Sequence, residues 1–390
     1  MALRTAFFAL AFAALCSFVY ERAHVVKTFY ANHPDRMARI NAIGSYEIKF
    51  QDRIRNCEDA FLLEDKGLAI LACDAGRDNW NTVMGVFQSG SMGQGELFAY
   101  NYAAGGLLDA DRLRKIELVG FPADIDFHTV GFGFDKESSA LFVTNHAQTG
   151  SQIEQFKLDV EALVATHVRS IKHPDLVGPN AILVLNAEEL LVSNDHYFLA
   201  RQSKPLAKIE TYLGLPTGPV VYVNLQNGQV KTKVVARLPF PNGMQLLNDT
   251  TLAVSSTNRA SILFYTVRDY QNLEYHSKVN LPYFPDNLAV AGDKLLIAGH
   301  AHLPTLAKFT ESRHICNFPE KLAETPSEVQ EYCRSASATS WVSEWSEAEG
   351  LKHIYAGTDY PTSSTFLRDA QRNVGIIVGL YAKGIMVFKE

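Results

Sequence analysis

In this chain of 390 residues, side chains that can hold a cation or move a proton recur at one position of a repeated pattern. Glu58-Asp59, His128, Asn180, Asn242, Asn287 and Ser364-Thr365 each open a unit in which an apolar run, a polar turn and a second apolar run follow. Carboxylates and amides are hard oxygen donors, and a cluster of them without cysteine favours calcium over zinc or copper. His128 and His146 lie on the same unit, and imidazole exchanges protons near neutral pH. A divalent cation beside such a base polarises a carbonyl or stabilises the oxyanion formed from it. Together these residues describe metal-assisted hydrolysis of an ester-like bond. Taken singly they say less, since asparagine before glycine, as at Asn242-Gly243, is an ordinary turn former. Their shared phase gives them joint meaning.

Residues so distant in sequence meet only if a repeated architecture brings them together. From about residue 55 the chain reads as short strands, among them 67–72 (GLAILA), 139–145 (SALFVTN), 189–194 (ELLVSN), 251–256 (TLAVSS) and 294–299 (KLLIAG). Each is rich in β-branched or large apolar residues and bounded by Gly, Asn, Asp or Pro. Helical pattern is confined to roughly 22–43 and to 319–335, which disfavours an alternating βα fold. A β-sandwich also alternates its strands, but it does not explain a recurring polar opener. Six units with unequal spacers predict an all-β, six-bladed propeller with an N-terminal helix and a small helical insertion. Equivalent openers then converge at one end of a central channel. The expected organisation is a leader over 1–21, a helical segment over 22–55 and the propeller over 56–390, with the insertion near 310–340.

Composition narrows the partners. Hydrophobic residues make up 47% and charged residues 20%, which excludes a disordered chain. With 36 Lys+Arg against 42 Asp+Glu and no dense basic run, nucleic acid is not an expected partner. The amino terminus places Arg4 before an apolar run from Thr5 to Tyr20, the pattern of a secretory signal. The run is short for a membrane span and lacks a clean cleavage site, so removal and retention as an anchor both stay open. In the secretory pathway Cys57, Cys73, Cys316 and Cys333 could pair, with Cys316–Cys333 the more plausible bridge. Asn248-Asp249-Thr250 is a glycosylation acceptor in a polar break where a hairpin would expose it.

Further stretches carry a resemblance. Asn194-Asp195-His196-Tyr197-Phe198, Asn145-His146, 211–215 (TYLGL), 220–223 (VVYV), Glu58-Asp59, 241–244 (PNGM), Pro285-Asp286-Asn287 and Gly299-His300 together look like the serum paraoxonase/arylesterase family, from about residue 40 to the carboxyl end. The resemblance implies a six-bladed propeller with two calcium ions in its channel and hydrolysis of small lactones and aryl esters, with phosphotriesters in some members. It implies Glu58, Asn180, Asn194, Asp286 and Asn287 as ligands of the catalytic calcium. It also implies a dyad in which His128 is the base on water and His146 raises its basicity. A leader retained as a lipid-facing anchor, giving membrane or lipid association, belongs to the same pattern.

Two departures stand out. The second calcium would use Asp59, the Val130 carbonyl and an aspartate after Asn180, where this chain has Ala181. The family's ring-closing disulfide has no counterpart, because the matching position near Phe388 carries no cysteine. Ring closure is therefore expected to rest on strand pairing alone. The rival to a hydrolase is a propeller that keeps a stabilising calcium but serves as a lipid-associated binding protein. A serine hydrolase is disfavoured, since no G-x-S-x-G occurs.

Overall fold

Each of the six sequence units folds as the two innermost strands of one four-stranded antiparallel sheet. The computed structural model describes residues 2–90, 92–106 and 108–389, with the side chains at 2, 3, 10, 11 and 14 outside the description. Blade 1 comprises Cys57–Leu63, Leu68–Asp74, Gly95–Asn101 and Leu113–Val119, and blade 2 Thr129–Asp135, Ala140–Ala147, Gly150–Asp159 and Val164–Ile171. Their outermost strands pair in parallel, fusing the two blades into one eight-stranded sheet. Blades 3 and 4 run over Pro179–Leu238 and Pro241–Asn280. Blade 5 begins with Phe284–Ala291 and Lys294–His300 and resumes at Ser340–Ser346 after the helical insertion. Blade 6 begins with Ser363–Asp369 and Val374–Gly379. The innermost strands touch in order around a ring, and the sixth returns to the first. The expected six-bladed propeller is the observed fold.

Closure comes from the amino-terminal side. Tyr46–Lys49 is the outer strand of blade 6, pairing with Ile385–Lys389 so that Tyr46 faces Phe388. Ile40–Asn41 adds a further edge to blade 5. No disulfide crosses this seam; Cys57–Cys73 links the two inner strands of blade 1, and Cys316–Cys333 lies within the insertion. The seam is held by ladder hydrogen bonds and by Phe388 packed with Phe366, Tyr355 and Met386. Between the other blades, side chains from facing sheets form apolar layers, such as Leu97, Phe127, Phe132, Leu141 and Phe156 between blades 1 and 2. Each such side chain contributes about 1.5–3 kcal/mol by leaving water.

Near the axis the blades approach too closely for side chains. A Cβ on Gly131 would lie 2.3 Å from the Asn180 carbonyl oxygen, and one on Gly243 would lie 2.5 Å from the Asn287 Cα. These two glycines let the neighbouring openers come together.

The helices differ from the sequence-based boundaries. α1 spans Ala2–Ala31 rather than reaching residue 43, because Pro34 cannot continue it and Asn32 turns its amide to the Pro282 and Ala301 carbonyls. Among the described residues no helix is long and apolar enough to cross a membrane. α2 (Lys204–Leu213) starts at Ser203, whose hydroxyl accepts from the Leu206 N–H. The insertion begins earlier than anticipated, with α3 (Leu303–Cys316). The 319–335 stretch breaks at Pro326 into helices Pro319–Ala323 and Ser327–Ser335. Asn248 and Thr250 are exposed at a hairpin of blade 4, as expected for the acceptor tripeptide.

The seam gives a testable expectation. A chain starting at residue 50 lacks both edge strands and should melt far below one starting at residue 22, by calorimetry. Equal midpoints would mean that the ring does not depend on the seam.

Candidate active site

A cavity of about 150 Å³ opens at one end of the channel, lined at its base by Glu58, Arg77, Asn180, Asn242, Asp286 and His300. The inner strands of four blades deliver Glu58, Asn180, Asn242 and Asp286 at nearly the same height. Glu58 Oε2, Asn180 Oδ1 and Asn242 Oδ1 are buried and have no hydrogen-bond partner. Three buried oxygens without donors are costly unless something positive sits among them. Burial, with the neighbouring charges of Asp286 and Asp59, pushes the Glu58 carboxyl well above the usual range, while Arg77 and Asn287 only partly offset it. Among the described residues no three His, Cys, Asp or Glu side chains form a metal-binding cluster. The gathering here is two carboxylates with amides, a donor set suited to calcium.

Asn287 sits against Glu58 rather than on the cavity wall: its Nδ2 donates to Glu58 Oε1 at 3.2 Å and to the Thr365 hydroxyl at 3.1 Å. Asn194 does not join the group. Its Oδ1 accepts from the Gly178 N–H and its Nδ2 donates to the Pro219 carbonyl, so its amide braces blade 3. Asn242 stands at the cavity where Asn194 had been expected. The sequence signal for Asn242 was its opener position.

The second cation site is not assembled. Both Asp59 oxygens are occupied, Oδ1 by the Ala60 N–H and the Thr365 hydroxyl, and Oδ2 by the Phe132 N–H. Ala181 supplies no side-chain donor, and Val130 lines the first cavity. Burial pushes Asp59 up to about 7 against the pull of those hydrogen bonds. These residues do not fit a second calcium.

The expected dyad is not a hydrogen-bonded pair of side chains, and neither imidazole lines the cavity. His128 lies between two carboxylates, with Nδ1 3.0 Å from Asp74 and Nε2 3.1 Å from Asp126. Burial alone would lower its pKa, but Asp126 and Asp74 outweigh it and raise it to about 9. The two flanking carboxylates therefore favour its charged form. His146 is buried, with Nε2 2.7 Å from the Pro179 carbonyl oxygen and Nδ1 bonded to the Thr82 hydroxyl, and burial lowers its pKa. Of the two imidazoles that line the cavity, His196 and His300, the second has Nε2 3.0 Å from Asp286 and an Nδ1 without a partner. It ends the second strand of blade 5, a position the opener pattern does not register.

The motif at 194–198 builds the adjoining wall. Asp195 Oδ1 holds His196 Nδ1 at 2.7 Å, and His196 Nε2 meets the Thr211 hydroxyl of α2 at 2.7 Å. The N–H groups of Tyr197 and Phe198 donate to the buried Glu210 carboxylate. These bonds lay α2 over the cavity, opposite Leu303, Leu306 and Ala307 of α3.

Because the folded His128 pKa exceeds its unfolded value near 6.5, its stabilising contribution is complete below that pH and is lost as pH rises through about 9. Denaturant titrations from pH 6 to 10 should show wild-type stability falling over that window, with the step absent in His128→Gln. An identical pH dependence in the two proteins would contradict the buried ion pair.

Bovine serum paraoxonase/arylesterase 2 is 28% identical over 226 residues, covering 55% of this chain and 61% of that protein. Human serum paraoxonase/arylesterase 1 is 33% identical over 118 residues, covering 30% and 32%. The alignment with the bovine relative thus spans less than two thirds of its length. A periplasmic gluconolactonase from Pseudomonas aeruginosa superposes with a TM-score of 0.48 at 11% identity, over 85% of this chain and 80% of that one. The sequence model of the arylesterase family matches residues 109–328, more than half of the chain, which therefore belongs to that family.

Proposed function

We propose that this chain is a calcium-dependent hydrolase of small lactones and aryl esters. The observation that carries this reading is the trio of unpartnered buried oxygens on Glu58, Asn180 and Asn242, facing one cavity with Asp286. Those four residues, with Asn287 beside Glu58, are the proposed ligands of a single calcium. When bound, that ion supplies Lewis-acid polarisation of the scissile carbonyl.

The protein's own groups do the rest. His300 is the proposed proton acceptor for the attacking water, because its Nδ1 is free and its Nε2 is held by Asp286. His128 contributes a fixed positive charge behind the cavity wall. Leu303, Leu306 and Ala307 of α3, with Phe240 and the ring of Tyr212 on α2, exclude water around an acyl or aryl group. Two disulfides and the apolar amino-terminal run support entry to the secretory pathway. Exposed Phe7, Phe8, Phe12 and Leu15 support contact with lipid.

Phenyl acetate, a series of lactones and a phosphotriester, each assayed with calcium and with chelator, test the activity. Hydrolysis led by lactones and lost on chelation is expected. Glu58→Gln and Asp286→Asn should each lower kcat by about 100-fold or more, while Asn194→Ala should act through stability. His300→Gln should lower kcat by about 100-fold and His128→Gln much less; the reverse order would reinstate His128 as the base. If calcium raises the melting temperature yet no substrate turns over, the chain is a non-catalytic, calcium-stabilised propeller.

A further inference from the structure

Arg77 is a buried cation for which the proposed chemistry has no use. It sits on the single 3₁₀ turn Ala75–Asp78 after the second strand of blade 1, is 3% exposed, and lines the cavity base. Its Nη2 donates to the Thr129 carbonyl, its Nε has no partner, and its Nη1 makes no hydrogen bond with the described protein. Among the described residues no carboxylate forms an ion pair with it. The adjacent Asp78 is committed elsewhere, accepting from Arg55 Nε at 2.9 Å, Asn56 Nδ2 at 3.0 Å and Asn317 Nδ2 at 3.0 Å. Glu58 feels its charge, but a guanidinium held out of water without a direct ion-pair partner is costly. Its backbone is nonetheless fixed, with the Arg77 carbonyl accepting from the buried Tyr381 hydroxyl at 3.3 Å.

We propose that Arg77 is a carboxylate-binding residue of this cavity, holding the acid that hydrolysis releases and favouring ligands with a carboxylate on a small apolar body. Arginine suits this role because its planar fork presents paired donors to a carboxylate. The apolar body follows from Val83, Met84 and Leu306 on the walls and from a volume of about 150 Å³, enough for one benzene ring. Assignment of the carboxylate to a hydrolysis product rests on the hydrolase reading; anion binding itself does not.

Calorimetry on the calcium-saturated full chain tests the proposal with benzoate and its neutral counterpart benzamide. Wild type should bind benzoate about tenfold or more tighter than benzamide. Arg77→Gln should abolish that preference without changing benzamide affinity, and Arg77→Lys should keep part of it. Equal affinity of the two ligands for wild type overturns the proposal without recourse to any variant. So does a benzoate preference that survives Arg77→Gln and disappears with chelator, since the carboxylate then sits on calcium. A variant whose calcium affinity rises while its benzoate preference is unchanged also overturns it, because Arg77 would then only balance Glu58. No turnover is read here, so failure of the hydrolase reading and failure of this one are separate results.

Discussion

Incompletely compensated negative charge at the propeller axis is the constraint around which the rest of the molecule is arranged. Glu58 and Asp59 come from blade 1 and Asp286 from blade 5, and the charges of Asp59 and Asp286 both raise the cost of ionising Glu58. Asp59 escapes by taking two N–H groups and a hydroxyl. Glu58 Oε2 and the two asparagine oxygens have no such donors. A fold that gathers buried oxygens and leaves them without donors needs a cation there, or else carries an electrostatic penalty with no return.

The propeller produces this gathering by geometry alone. Every blade begins at the axis, so Glu58, Asn180, Asn242 and Asp286 of blades 1, 3, 4 and 5 meet whatever the length of chain between them, while His128 of blade 2 turns to Asp74 and Asp126. Glycine at 131 and 243 allows neighbouring strands to close to backbone contact, which sets how near the openers come. The seam formed by Tyr46–Lys49 completes blade 6, whose inner strand packs against that of blade 1 and closes the ring. Stability and site geometry therefore depend on the same closure. The insertion and α2 are added at the rim, where they change the walls without altering the ring.

Much of this was legible in the sequence because blade phase is a regular signal. The six units coincide with the inner strand pairs, and Glu58, Asn180 and Asn242 all stand where the opener pattern puts them. Asn194 was misplaced because its motif was read by likeness rather than by phase; it ends a second strand, where its amide meets backbone groups of blade 3. His300 and Arg77 gave no such signal, as one lies at the end of a second strand and the other on a 3₁₀ turn. The state of His128 was illegible for another reason. Its charge depends on Asp74 and Asp126, which converge on it only in three dimensions. Helix ends followed local chemistry, with Pro34 and Pro326 cutting segments that hydrophobic pattern alone had joined.

The central claim, that one cation belongs among the axial oxygens, is tested most directly by anomalous diffraction from crystals of the protein grown with calcium. One strong peak per chain is expected, bounded by Glu58, Asn180, Asn242 and Asp286, and none beside Asp59 and Ala181. A channel without a peak at saturating calcium, or a peak confined to Asp59, would contradict it.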